Sequence, residues 1–172
     1  MIRNIKMGIV IRKALPEDAY DYALCRISCW QSAYKGIVPD DYLSSMITES
    51  EKKQLIEKYK NNLSNPGNCE YYCVICSEQM IGFFIIDKRE CDIWAIYLIE
   101  EFRSRGYGTQ ILSFAISELR HTTSREISLW VFEANVRARH FYENNGFSFN
   151  GTTKRDSKYG AMLAQLQYTL TV

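Results

Sequence analysis

A turn of two arginines and two glycines, Arg103-Ser104-Arg105-Gly106-Tyr107-Gly108-Thr109, is the part of this 172-residue chain best suited to hold a ligand. Glycines let a backbone come close to a bound group. The first N–H groups of a helix lack internal partners, and guanidinium groups add forked donors. Set between a strand and a helix, these residues make a site for a phosphate-like anion. The two common nucleotide loops fit poorly. A P-loop needs Lys-Ser or Lys-Thr after its second glycine, where Tyr107 and Gly108-Thr109 stand, and a dinucleotide loop needs a third glycine where Ile111 stands. The other reading is a connection that uses glycine only to turn.

The flanking residues define the elements that hold this turn. From Asp92 to Leu98 the chain is almost wholly apolar or aromatic, as suits a strand buried on both faces. Ile111, Leu112, Ala115, Ile116 and Leu119 recur at helical spacing, predicting a helix from about Tyr107 to His121. Upstream, Gly8 to Arg12 reads as a strand, and Pro16 opens a helix with Ala23, Ile27, Trp30 and Tyr34 on one face, stopped by Gly36. Pro39-Asp40-Asp41 starts a second helix, in one or two pieces, with Asn61 to Asn68 as a loop. Glu70 to Ser77 and Gln79 to Asp87 form a hairpin in which Gly82 marks a bulge or a close packing contact. Glu126 to Phe132 is a strand, Asn135 an N-cap, and Asn145-Gly146 a helix stop. Phe147 to Asn150 and Met162 to Thr171 are the last strands, joined by a polar loop from Thr152 to Gly160. The order β-α-α-β-β-β-α-β-α-β-β predicts an α/β (α+β) mixed sheet flanked by helices, with a parallel, right-handed central β-α-β. Residues 1–172 are read as a single domain.

Composition narrows the function. The formal net charge is +1, from 21 basic and 20 acidic residues, so no global field calls for nucleic acid or a membrane surface. The first residues lack the apolar core of a signal peptide, Met7 is an alternative start, and a cytoplasmic location is expected. The spacing Cys73-Val74-Ile75-Cys76 resembles a redox or zinc pair. It lies in a β-like apolar run with no second pair, and the six cysteines are read as buried, reduced thiols with no metal.

Arg103-x-x-Gly106-x-Gly108, between strand and helix, resembles the coenzyme A pyrophosphate loop of the GNAT superfamily of N-acetyltransferases. A second stretch, Leu129 to Phe147, resembles that superfamily's next motif: a strand, then Asn135, then a helix carrying Ala138 and Tyr142 and ending in Gly146-Phe147. The pattern Trp30-x-x-x-Tyr34-x-Gly36-x-x-Pro39 is similar to the helix-1/helix-2 region of a bacterial branch. Together the likeness spans roughly residues 8 to 170.

The resemblance implies a GNAT-like fold and transfer of the acetyl group of acetyl-CoA to an amine of a small molecule or peptide. It places the pantetheine arm between two diverging strands, against Ile96, Tyr97 and Leu98, whose N–H groups would polarise the thioester carbonyl. It puts Arg103, Ser104, Arg105, Gly106, Tyr107, Gly108 and Thr109 at the pyrophosphate, and Asn135 on the coenzyme as well as at the N-cap. Tyr142 matches the tyrosine that donates to the departing sulfur; its other reading is a core aromatic. Many members carry Glu where this chain has Asp92, one methylene shorter; Glu133 is the alternative base. Trp30, Tyr34, Tyr42 and Trp94 are core aromatics by spacing and candidates for an acceptor wall. The rival function is a non-catalytic acyl-CoA-binding module of the same fold. A homodimer stays open, and no strong acidic patch invites a polycationic acceptor.

Overall fold

A computed structural model describes residues 8–120 and 125–172. One seven-stranded sheet runs through it in the order β1-β2-β3-β4-β5-β7-β6. The elements are β1 (Val10–Lys13), α1 (Ala19–Ala33), α2 (Asp40–Ser45), α3 (Glu49–Ser64), β2 (Cys69–Cys76), β3 (Gln79–Asp87), β4 (Asp92–Leu98), α4 (Tyr107–Leu119), β5 (Glu126–Phe132), α5 (Val136–Asn144), β6 (Ser148–Asp156) and β7 (Leu163–Thr171). β4 and β5 are parallel, while the other neighbours are antiparallel. The expected mixed sheet and helix order are thus borne out. The end of α4 at His121 and the choice of start at Met1 or Met7 fall outside the described residues.

Alternation along β3 sorts the two faces. Phe83 packs against Tyr22 of α1 with ring centroids 4.4 Å apart, whereas Phe84 meets Phe114 of α4 at 5.9 Å. Helix α1 therefore covers one face and α4 the other. The hairpin turn Ser77-Glu78 holds both residues at positive φ, as a two-residue turn between twisted strands demands. Gly82 serves both roles foreseen for it. The pairing slips beside it, between Val74 and Ile75, and a Cβ there would stand 2.5 Å from the Tyr97 carbonyl oxygen.

Three expectations are corrected. Asn61 to Ser64 continue α3 instead of starting a loop, because Leu63, one turn after buried Tyr59, is itself buried. The segment expected as a polar loop from Thr152 is β6 as far as Asp156; it is an edge strand with exposed side chains, so it shows no apolar alternation. β4 is not buried on both faces: Trp94 is 58% exposed, and Ala95 to Leu98 are only partly covered. The six cysteines are buried thiols. No helix among the described residues is long and apolar enough to cross a membrane.

Candidate active site

β4 and β5 begin as neighbours and then part. Their parallel register pairs Asp92 with Ser128 and Ile93 with Leu129, and goes no further. Beyond it lies a cleft of about 1050 Å³, lined by Trp94 to Leu98 on one side and by Trp130 to Phe132 on the other. An extended chain can enter such a gap as an added strand.

The glycine turn closes one end of this cleft. Gly106 caps α4 at φ +84°, in the left-handed region, and a Cβ built there would meet nothing within 4 Å. Glycine is needed at this position for conformation and for open approach, not for packing. Gly108 has another reason: its Cβ would come within 3.2 Å of the Phe141 ring, so it lets α4 and α5 lie close. Ser104, also at positive φ, and Thr109 line the cleft with both glycines. The arginines divide. Arg103 lines the cleft, but its Nε donates to Leu98 O at 2.9 Å and a terminal nitrogen to Ser32 Oγ at 2.6 Å, tying the turn to β4 and α1. Arg105 lies off the lining, its guanidinium 5.3 Å from the Phe102 ring. Tyr107 is buried beside Phe102, so its side chain is core.

α5 forms the adjoining wall. The Asn135 carboxamide oxygen accepts from Ala138 N–H at 3.1 Å, the expected N-cap, and Asn135 also lines the cleft. One helical stretch later Tyr142 reaches the same lining. Burial pushes its phenol well above the ordinary range, and neighbouring Tyr97 adds to this. The helix is pinned from behind: Tyr168 donates to Glu143 at 2.6 Å and Arg139 donates to Tyr168 at 3.2 Å.

The far end is built by side chains. On β3, Phe83, Ile85 and Asp87 share the face under α1, and their partners on β4 are Tyr97, Ala95 and Asp92. An even-numbered and an odd-numbered residue share a face because the register slips between Ile85 and Ile86, leaving Trp94 as the extra residue. That bulge turns Asp92 onto the Tyr97 side. Asp92 is half-buried, accepts from Ser128 Oγ at 2.8 Å, and is pushed above the usual carboxylate range by burial. Glu133, the alternative base, is exposed and lies outside the cleft, beside a separate depression of about 350 Å³.

Around Asp92's face gather the aromatics. Tyr34 and Tyr97 join their hydroxyls at 2.8 Å, and burial pushes the Tyr97 phenol up to about 12. Trp30 is 3% exposed, a core residue that nonetheless lines the cleft. Tyr159, from the β6–β7 connection, stands 5.3 Å from Trp30, 5.5 Å from Tyr42 and 5.7 Å from Phe132. Tyr159, Lys154, Lys158, Phe132 and Ser32 all line the cleft, and sequence reasoning passed over them. A lone aromatic in Lys158-Tyr159-Gly160 was the one available signal.

The comparisons with known proteins meet this geometry. The profile of the acetyltransferase (GNAT) family matches residues 30–147, which contain both lips of the cleft. The chain belongs to the GNAT acetyltransferases. The Mycobacterium tuberculosis protein called Probable N-acetyltransferase Rv2775 is 31% identical over 153 residues, spanning 85% of this chain and 83% of its own length. The spermidine N(1)-acetyltransferase of Thermoplasma acidophilum is 26% identical over 153 residues, spanning 87% and 94%. The crystal structure of the PaiA N-acetyltransferase from Thermoplasma acidophilum, in complex with coenzyme A, superposes with a TM-score of 0.74 at 24% identity, covering 96% of this chain and all of that one. The GNAT fold and an acyltransferase activity expected from the motifs are thereby borne out.

Proposed function

We propose that this GNAT protein moves the acetyl group of acetyl-CoA directly to a primary amine of a small molecule or peptide. The observation that carries the reading is convergence. The glycine turn, Tyr142 and the bulge-turned Asp92 all line one cleft, opened where two parallel strands part. The turn around Gly106 and Gly108 grips the diphosphate through backbone N–H groups. The pantetheine arm lies along Ile96 to Leu98, and Asn135 and Thr109 border it.

Two proton-handling jobs remain. An alkyl amine with a pKa near ~10 arrives almost wholly protonated at neutral pH. Asp92 takes that proton, through water, and its raised pKa makes it a stronger base than an ordinary carboxylate. The free amine attacks the thioester carbon, whose oxygen is polarised by the β4 N–H groups. As the C–S bond breaks, Tyr142, held protonated by burial, donates to the sulfur, and the second proton shed by the nitrogen, passed through water, restores the phenol. Holding both reactants in one cleft supplies much of the remaining acceleration.

Acetyl-CoA binding by calorimetry, together with thiol release across an amine panel, tests this. Binding with turnover of at least one amine supports it. Tight binding with no turnover of any amine would identify a coenzyme-holding module instead.

A further inference from the structure

Ser128 stands opposite Asp92 in the short parallel register that β4 and β5 share before they part. Opposite residues on paired strands present their side chains to the same face. The Ser128 hydroxyl donates to Asp92 Oδ1 at 2.8 Å. The backbone braces the contact, for Ser128 N–H donates to Cys91 O at 3.1 Å, one residue before Asp92. Of the two, Asp92 lines the cleft and half-buried Ser128 does not. The hydroxyl thus holds the carboxylate from behind, out of reach of coenzyme and acceptor.

The other groups that act on Asp92 come from three strands. Asp87, its partner on β3, is buried, accepts from the N–H groups of Arg89 and Glu90 at 2.9 and 3.1 Å, and disfavours charge on Asp92. Cys69, opposite Asp87 on β2, is a buried thiol whose pKa is pushed up by burial, so it brings no charge at neutral pH. Lys154 on β6 favours the charged carboxylate, but its ammonium rests 3.9 Å from the Trp130 ring centroid. Among the described residues no cation forms an ion pair with Asp92. A paired cation would hold this carboxyl low and weaken it as a base. A neutral hydroxyl fixes its position at a smaller cost in basicity.

We propose that Ser128 is a positioning residue for the acetyl transfer: its hydroxyl, set behind the cleft by the strand register, holds the Asp92 carboxylate in the orientation that meets the amine's proton. This rests on the reading of Asp92 as the base. No bond is made or broken on Ser128, and its proton stays on its oxygen. It acts only through Asp92.

The test uses the whole chain at saturating acetyl-CoA, with an amine that the wild type turns over, and reads thiol release across pH. Ser128→Ala should lower kcat about tenfold, the weight of one hydrogen bond to a charged group. The lost bond favoured the charged carboxylate, so the acid limb of the profile should move to higher pH. Acetyl-CoA affinity should hold in calorimetry. Ser128→Thr keeps a hydroxyl on a residue that suits a strand, and should restore most of both properties. A cycle with Asp92→Asn separates positioning from packing. Once the base is gone, adding Ser128→Ala should cost less than about twofold more, because nothing is left to position. Should Ser128→Ala not fold, Ser128→Cys, a weak donor in nearly the same space, should show the same two changes. An unmoved kcat and acid limb, or a full further tenfold loss in the cycle, overturns the proposal while Asp92 stands as the base. An Asp92→Asn variant with the wild-type profile overturns both.

Discussion

At one end of the cleft the chain offers backbone: Gly106 at φ +84°, the first turn of α4, and the N-cap at Asn135. At the other end it offers side chains from α1, β4, β5 and the β6–β7 connection, meeting as Trp30, Tyr34, Tyr97, Phe132 and Tyr159. A backbone site recognises a group common to a family, since any sequence that keeps the turn keeps the donors. A side-chain wall changes with each substitution and so sets which amine is taken. Substitutions at the first end should therefore act on the coenzyme, and those at the second on the acceptor.

The largest break is expected at Gly106. Valine is a steric outlier at positive φ, and its branched side chain would fill the open approach to the turn. Gly106→Val should weaken acetyl-CoA binding about 100-fold, or ~2.7 kcal/mol, in calorimetry. Unchanged affinity would show that the turn does not grip the diphosphate.

Next is Asp92→Asn, which keeps shape and the Ser128 contact but removes the base. The expected loss is about 10²-fold in kcat/KM with coenzyme affinity unchanged. The sign of the pH effect follows from burial, which raises the Asp92 carboxyl. Wild-type activity should fall as pH drops through that raised value, above the ordinary carboxylate range. Asp92→Asn should recover progressively as pH rises and the amine deprotonates unaided. A variant that keeps the wild-type profile would move the base elsewhere.

Tyr142→Phe should cost about tenfold in kcat, the weight of one hydrogen bond to a charged sulfur, without altering the acetyl-CoA dissociation constant. An unchanged kcat at every pH would return Tyr142 to the role of a core aromatic.

The same division explains what could be read in advance. Gly106, Asn135 and Gly146 act through local chain geometry, within a few residues of themselves, so their types and spacing declare them. The acceptor end depends on events with no local mark. The extra residue Trp94 reverses alternation along β4, and strict period-two reading would put Asp92 and Tyr97 on opposite faces. The parting of β4 from β5 exposes Trp94, whose apolar surroundings in sequence suggest the interior. Tyr159 arrives from a stretch of mostly polar residues and joins rings more than a hundred positions away. Arg103 shows the limit from the other side: its place in the motif pointed to phosphate, while its side chain ties Leu98 to Ser32.

The smallest and most discriminating change is Tyr34→Phe. It removes one hydroxyl of the 2.8 Å pair and leaves that of Tyr97 without this partner, at a cost of about 1 kcal/mol. The Tyr34 ring still packs edge-on against Trp30, at 4.7 Å, and against Phe132, at 5.2 Å, so the wall should stand. Melting should fall by only a few degrees, roughly 2–4 °C for a chain of this size. The acceptor KM should rise about three- to tenfold, as expected for one perturbed polar contact, while acetyl-CoA affinity holds. A shift in coenzyme affinity with no change at the acceptor would mean that the tyrosine pair faces the pantetheine arm, and the boundary between the two ends would have to move toward α1.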